Sequence, residues 1–370
     1  MKWKVTIALL AACVAGFLYL LWWMEGGIRY RAPLGASVPA AADSAGDEPR
    51  GQTEGLPRVK TMQGLAHAWQ SFNNCSSVAL LVALSHWGIA DTQEAIAEAT
   101  RPWNNATGDN DDKSVTLYEL ADYASDKYDL ATYVRPNGTI ELLKKFVAND
   151  IPVIARTLTY PDKDMVHYRV VRGYDDARGV LIESDGINGP KFEVSYDDWM
   201  HLWKDYNYSY LIVVPPEKRG RAEEILGNER DGKSAWQNAK TRAESALSKN
   251  QNDLFAHYNL VTALYYLGDY AGTVREFEAI EPDLTRRVLW YQHEPIEAYF
   301  KLGGYDRVLE LADRVINDNN KSVSELYVLK GKIYEERGDT AAARAEYEKA
   351  VYYNKSLRPA KDALARLSGS

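Results

Sequence analysis

Three glycines at a fixed spacing constrain this chain most. Gly268, Gly303 and Gly338 stand thirty-five residues apart, in "LGDY", "LGGY" and "RGDT". Each follows an apolar stretch of helical period and precedes another. A glycine between two such stretches supplies the turn of a helix–turn–helix unit. One unit cannot bury its apolar face alone, so units at a fixed period must stack. The last unit, "ELYVLKGKIYEERGDTAAARAEYEKAVYYN", is the clearest. Its Gly331, Tyr334, Gly338, Ala343, Tyr347 and Ala350 alternate small with large, and the alanines let paired helices approach closely. Residues 234–370 therefore read as an all-α stack.

The stack resembles the tetratricopeptide repeat, whose usual period is about 34 residues. The middle unit departs from that pattern, and a proline ending a unit occurs only at Pro282. The run from Ser234 to Lys249 supplies an extra helix at the start. The resemblance implies either a rigid spacer or a surface that holds a partner protein or peptide.

A length of 370 residues suits more than one domain. With 46% apolar and 26% charged residues the chain is an ordinary folded protein. Its net charge of −8 argues against a nucleic-acid binder, because phosphate contact needs clustered Lys and Arg. There are two cysteines, Cys13 and Cys75. They are too few for a Cys-rich zinc site, and a bridge between them would join distant parts of the chain. No metal or cofactor is implied, and Cys75 is expected to be a free thiol.

Cys13 lies in "MKWKVTIALLAACVAGFLYLLWWMEGG". Lys2 and Lys4 precede an uncharged run from Val5 to Met24, whose length at ~1.5 Å per residue matches the hydrocarbon core of a bilayer. Trp22 and Trp23 sit at its far end, where interfacial aromatics belong. Residues 1–25 are predicted to be a single transmembrane anchor, with the main body extracytoplasmic in a bacterial-type envelope. Arg29 and Arg31 weaken the charge bias behind that orientation. A rival reading takes "LAAC" as a lipoprotein box with Cys13 lipidated, although apolar rather than polar chain follows it. Residues 26–57, rich in Ala, Gly, Pro, Ser and acidic side chains, read as a flexible linker.

Residues 58–216 read as helices first and strands later. "CSSVALLVALSHWG" is a buried helix stopped by Gly88, and "LYELADYASDKY" and "GTIELLKKFVAND" are two more. "VIARTL", "HYRVVRGYDD", "GVLIESD" and "YSYLIVVP" are short, β-branched and aromatic, and read as antiparallel strands. "YDDW" starts a short helix that sets Trp199 and Trp203 on the sheet. Helices and a sheet in one domain make an α+β fold. Residues 217–233 link it to the stack. The acidic run Gly108–Ser114 lacks the glutamate and spacing of a calcium loop and reads as a solvated turn.

Cys75 sits at the start of its helix, in "WQSFNNCSSVAL". Unpaired amides and the positive end of the helix dipole favour a thiolate there. A free cysteine is also commonly an inert core residue. A reactive thiol needs a base. Of the six histidines, His257 and His293 lie in the stack, and His86 lies about three turns along the same helix. His167 opens a strand, and Asp185 ends the next one. Neighbouring antiparallel strands can set these two side by side, where the carboxylate would fix the imidazole. Asp185 could equally be a turn residue before Gly186, and Asn73, Asn74 or Gln70 could be no more than helix caps.

The ordered set Gln70, Cys75, His167 and Asp185, within "WQSFNNCSSVALLVALSHWG" and "HYRVVRGYDDARGVLIESD", resembles the papain-like cysteine peptidases of family C-39, which include the double-glycine leader peptidases. The resemblance covers about residues 66–213. It implies Cys75 as nucleophile, His167 as general base and acid, Asp185 as orienting group, and Gln70 with the Cys75 amide as oxyanion donors. The family often has Gly-Pro after the cysteine and Pro after the aspartate; this chain has Ser76-Ser77 and Gly186. The expected function is a membrane-anchored cysteine peptidase acting on a peptide or protein substrate, with the repeats docking substrate or partner. The alternative is a catalytically inactive papain-like domain whose repeats scaffold envelope proteins. A third reading keeps the same residues but acts on a cell-wall amide or in acyl transfer.

Overall fold

The structure is a computed structural model that describes residues 55–101, 115–161, 163–317 and 320–369. The predicted anchor, Cys13, most of the 26–57 linker and the acidic run 108–114 lie outside them. Among the described residues no helix is long and apolar enough to cross a membrane. The described residues form one compact unit.

In chain order the first part holds β1 (Val59–Thr61), α1 (Cys75–His86), α2 (Gln93–Thr100), α3 (Leu117–Tyr128), β2 (Ala131–Arg135), α4 (Ile140–Ala148), β3 (Val153–Leu158), β4 (Val166–Asp175), β5 (Val180–Asp185), β6 (Gly189–Ser195), α5 (Tyr196–Trp203) and β7 (Tyr210–Val214). All strand pairs are antiparallel, in the order β2-β7-β3-β4-β5-β6, and β1 pairs with the end of β4 that β3 does not reach. The segments expected as strands are strands. Sequence reading missed α2, β1, β2 and β6. β1 has only three residues, and β6 starts at Gly189-Pro190, which hides any alternation.

β3, β4 and β7 are buried on both faces and form the middle of the core. α1 packs on β3, β4 and β5. Its residues Ser76–Leu80 and Val82–Leu84 are buried, so it is apolar nearly all round rather than amphipathic. The chain after it turns through Gly88 at φ +74°, a left-handed conformation that suits glycine. α5 packs on β3, and Trp199 and Trp203 are fully buried in T-shaped contact.

The connecting segment is itself helical, with α6 (Arg219–Leu226) burying Ala222 and Leu226. The C-terminal helical region follows: α7 (Gly232–Lys249), α8 (Leu254–Tyr266), α9 (Tyr270–Ile280), α10 (Val288–Tyr291), α11 (Glu294–Lys301), α12 (Tyr305–Asn317), α13 (Ser324–Glu336), α14 (Thr340–Tyr353) and α15 (Arg358–Ser368). Gly268, Gly303 and Gly338 turn α8 into α9, α11 into α12 and α13 into α14, each at positive φ. Gly331 lets α13 and α14 touch: a Cβ there would lie 2.5 Å from the Tyr347 ring.

Helices α8, α10 and α13 contact the α+β part. Asn259 of α8 accepts from the Asn207 amide (3.0 Å) and donates to the Lys204 carbonyl (2.8 Å). Tyr266, at the end of α8, lies against Tyr118 with ring centroids 6.3 Å apart. Arg156 of β3 donates to the Tyr291 carbonyl (2.6 Å), and Glu325 of α13 pairs with Arg101 (2.6 Å). Much of this surface of the helical region is therefore covered within the chain.

Candidate active site

Strand pairing sets the site. On β4, His167 and Arg169 are two residues apart and share a face. Thr157 of β3 lies opposite His167, and Asp185 of β5 lies opposite Arg169. His167, Arg169 and Asp185 are all buried, Asp185 completely. His167 Nε2 lies 3.0 Å from Asp185 Oδ1. A buried carboxylate there selects the tautomer that donates from Nε2 and leaves Nδ1 as the basic nitrogen.

Asp185 is over-determined. Oδ1 also accepts from the Ile187 amide (2.6 Å) and the Asn188 amide (3.1 Å). Oδ2 accepts from Arg169 Nε (3.0 Å) and Asn188 Nδ2 (3.1 Å). Burial alone would raise its pKa; His167, Arg169 and the Ile187 amide outweigh burial and hold it well below the usual carboxylate range. Arg169 is itself fixed by Thr157 Oγ1 (3.3 Å) and the Thr159 carbonyl (2.7 Å).

Cys75 is the first residue of α1 and is partly buried. Asn74 occupies the N-cap position but makes no capping bond; its side chain donates to Ser71 Oγ (2.7 Å). Asn73 takes a left-handed φ of +55°, which asparagine tolerates. Gln93 of α2 clamps this entry loop, accepting from the Ser71 amide (2.9 Å) and donating to the Trp69 carbonyl (3.2 Å). Gln70, Cys75, Ser76 and His167 line one open cleft of about 260 Å³, with Phe72, Val115, Met165, Tyr168 and Ile187 among its other walls.

Gln70 lies against Gly186. The Gln70 amide donates to the Gly186 carbonyl (3.0 Å), and a Cβ on residue 186 would stand 3.1 Å from both Cβ and Oε1 of Gln70. A side chain at position 186 would therefore crowd Gln70 by a few tenths of an ångström. Ser76 is buried against the cleft.

Of the other histidines, His86 bonds the Asp150 carbonyl (2.7 Å), away from the cleft. His67 was given no role by the sequence. It stands edge-on to Trp69 with centroids 4.9 Å apart, and both its ring nitrogens are buried without a hydrogen bond. Burial lowers its pKa, against the pull of Asp185 and with the push of Arg172.

Arg169 and Glu183 were also missed, although period two places each on the face of the residue two positions away. Glu183 is fully buried, and neither carboxylate oxygen accepts a hydrogen bond. Arg169 Nε lies 3.4 Å from it but donates to Asp185. Burial raises the Glu183 pKa to about 8, Arg169 opposing and Asp185 assisting. Between pH 4.5 and about 8 the folded chain holds a proton there that the unfolded chain has lost, so stability falls as pH rises through that window. Glu183→Gln is expected to flatten this slope and to gain a few kcal/mol at pH 8. Urea unfolding at pH 5 and pH 8 measures it, and parallel slopes for both proteins would refute it.

Among the described residues no three His, Cys, Asp or Glu side chains cluster as metal ligands would. The arrangement combines a thiol at a helix start, an imidazole oriented by a buried carboxylate, and a side-chain amide, all around one open cleft.

Residues 56–212 match the model of the Peptidase_C39 like family. This stretch has a C39-like α+β peptidase fold. A crystal structure of a putative C39-like peptidase from Bacillus anthracis is 15% identical, covering 42% of this chain and 98% of that one, with a TM-score of 0.35. The peptidase domain of Streptococcus ComA, a bi-functional ABC transporter involved in a quorum-sensing pathway, is 18% identical, covering 41% and 98%, with a TM-score of 0.33. No curated protein matches the chain.

Proposed function

We propose that the protein is a cysteine peptidase. One observation carries this: His167, bonded through Nε2 to the buried Asp185, opens onto the same cleft as Cys75 and Gln70. His167 Nδ1 takes the thiol proton and the Cys75 thiolate attacks a peptide carbonyl. Gln70 and the Cys75 amide hold the oxyanion. His167 returns its proton to the leaving amine, and water, deprotonated by the same imidazole, releases the acyl group. Asp185 keeps the ring in place through both steps. Among the described residues the cleft walls carry no Asp, Glu, Lys or Arg side chain, which suits an uncharged stretch of substrate around the scissile bond. The body is held outside the cytoplasm by the N-terminal segment, and the outer faces of the helices are free to meet a partner.

The test is product analysis by mass spectrometry after incubating the full chain with a peptide pool and, separately, with purified peptidoglycan. Peptide products with new termini at a reproducible position support the reading. Release of cell-wall fragments alone would assign the same residues to a wall amide, and no product from either would leave a binding protein.

A further inference from the structure

Arg101 is a buried cation far from the proposed nucleophile in sequence, and it joins the two halves of the molecule. It ends α2 and is 1% exposed. Its guanidinium takes Glu119 of α3 in a fork (Nε–Oε1 2.8 Å, Nη2–Oε2 3.1 Å). The same group takes Glu325 of α13 (Nη2–Oε1 2.6 Å, Nη1–Oε2 3.4 Å) and the Ser322 carbonyl (3.4 Å). Arginine presents donors enough for both carboxylates in one plane; lysine does not.

Glu119 carries the tie onward. Its Oε2 accepts from the Thr116 amide (2.7 Å) and hydroxyl (2.9 Å), while the Glu119 amide donates back to Thr116 Oγ1 (3.2 Å). That capping box fixes the start of α3. Val115, the next residue back, is a wall of the cleft. Its carbonyl accepts from the Tyr168 hydroxyl (2.5 Å), and Tyr168 follows His167 on β4. Tyr168 is buried.

We propose that Arg101 and Glu325 are positioning residues, through which the docked helical region holds the Val115 wall and the His167 strand in the geometry that activates Cys75. The proposal rests on the peptidase reading and gives the helical region a part in the site. Without Glu325, Arg101 keeps its charge in a buried place with half its partners, a state that buried cations relieve by moving toward water. The capping box and the Tyr168 bond then lose their anchor.

The experiment uses the full chain with Glu325→Gln and Arg101→Lys, which conserve volume or charge. Hydrogen exchange is followed at residues 115–120 and 166–170, and Cys75 alkylation by iodoacetamide is followed against pH. Both variants are expected to lose protection at those two segments by about ten-fold or more, while residues 340–368 keep theirs. Alkylation at pH 6.5 is expected to fall by about ten-fold, with the inflection moving toward an ordinary thiol. Wild-type exchange and a wild-type alkylation profile, beside a lower melting temperature, would make the tie purely structural and overturn the proposal. If Arg101→Lys does not fold, Glu325→Gln decides alone. An unactivated thiol in the wild type would sink the peptidase reading instead, and the exchange data would still judge the coupling.

Discussion

Cys75→Ala is expected to abolish peptide hydrolysis, lowering kcat by a factor on the order of 10⁴ or more. The substitution deletes the atom that forms the acyl-enzyme and leaves His167 bonded to Asp185. Water positioned by the same imidazole and the oxyanion donors supplies only the residual rate. Stability should hardly change, because Cys75 is partly open to the cleft and one sulfur is lost, at a cost of about 1 kcal/mol or less. Cys75→Ser should be equally inactive, since a serine hydroxyl is a far weaker acid than a thiol and this imidazole is set up for a thiol. Initial rates on a peptide found by product analysis, beside thermal melts, check both halves. A variant within ten-fold of wild type would remove Cys75 from the chemistry.

Asp185→Ala is expected to damage activity and fold together. Asp185 accepts five hydrogen bonds, from His167, Arg169, two amides and the Asn188 side chain. Its removal takes from the buried Arg169 guanidinium the carboxylate it donates to, leaving Glu183 at 3.4 Å as the nearest acid. Breaking a buried pair in this way costs about 3–5 kcal/mol. Asp185→Asn keeps the shape and isolates the chemistry. An amide cannot accept at every position the carboxylate does, so the imidazole is free to turn or to change tautomer, and kcat should fall by a factor on the order of 10³–10⁴. The pH dependence has a sign. The Asp185 pKa is depressed in the fold, so its contribution is present above its ordinary value of 3.8 and is lost as pH falls below it. Urea unfolding at pH 7 and pH 3 should show Asp185→Ala approaching wild type at the lower pH. An equal gap at both would mean that the carboxylate charge does not matter.

The strands were legible because they are short β-branched and aromatic runs set off by Gly, Asp, Asn and Pro. Their order placed His167 and Asp185 on neighbouring strands, and the structure pairs those strands. Period two would have found Arg169 and Glu183, each two positions from a residue already chosen. β1 and β6 stayed hidden because three residues, or a Gly-Pro start, leave no period to read. The contact of Gly186 with Gln70 could not be read at all, since the two are more than a hundred residues apart. Arg101 and Glu325 are separated by 224 residues. Each looks like an ordinary surface charge in its own helix, and only packing brings them together.

The most direct measurement is the rate of Cys75 alkylation against pH, in wild type and His167→Ala. A cysteine peptidase predicts an inflection well below the ordinary thiol value of about 8.5, lost in the variant, because the thiolate is paired with the imidazolium. Coincident profiles with an ordinary inflection in both proteins, or no reaction in either, would contradict it and make the start of α1 a packed helix terminus.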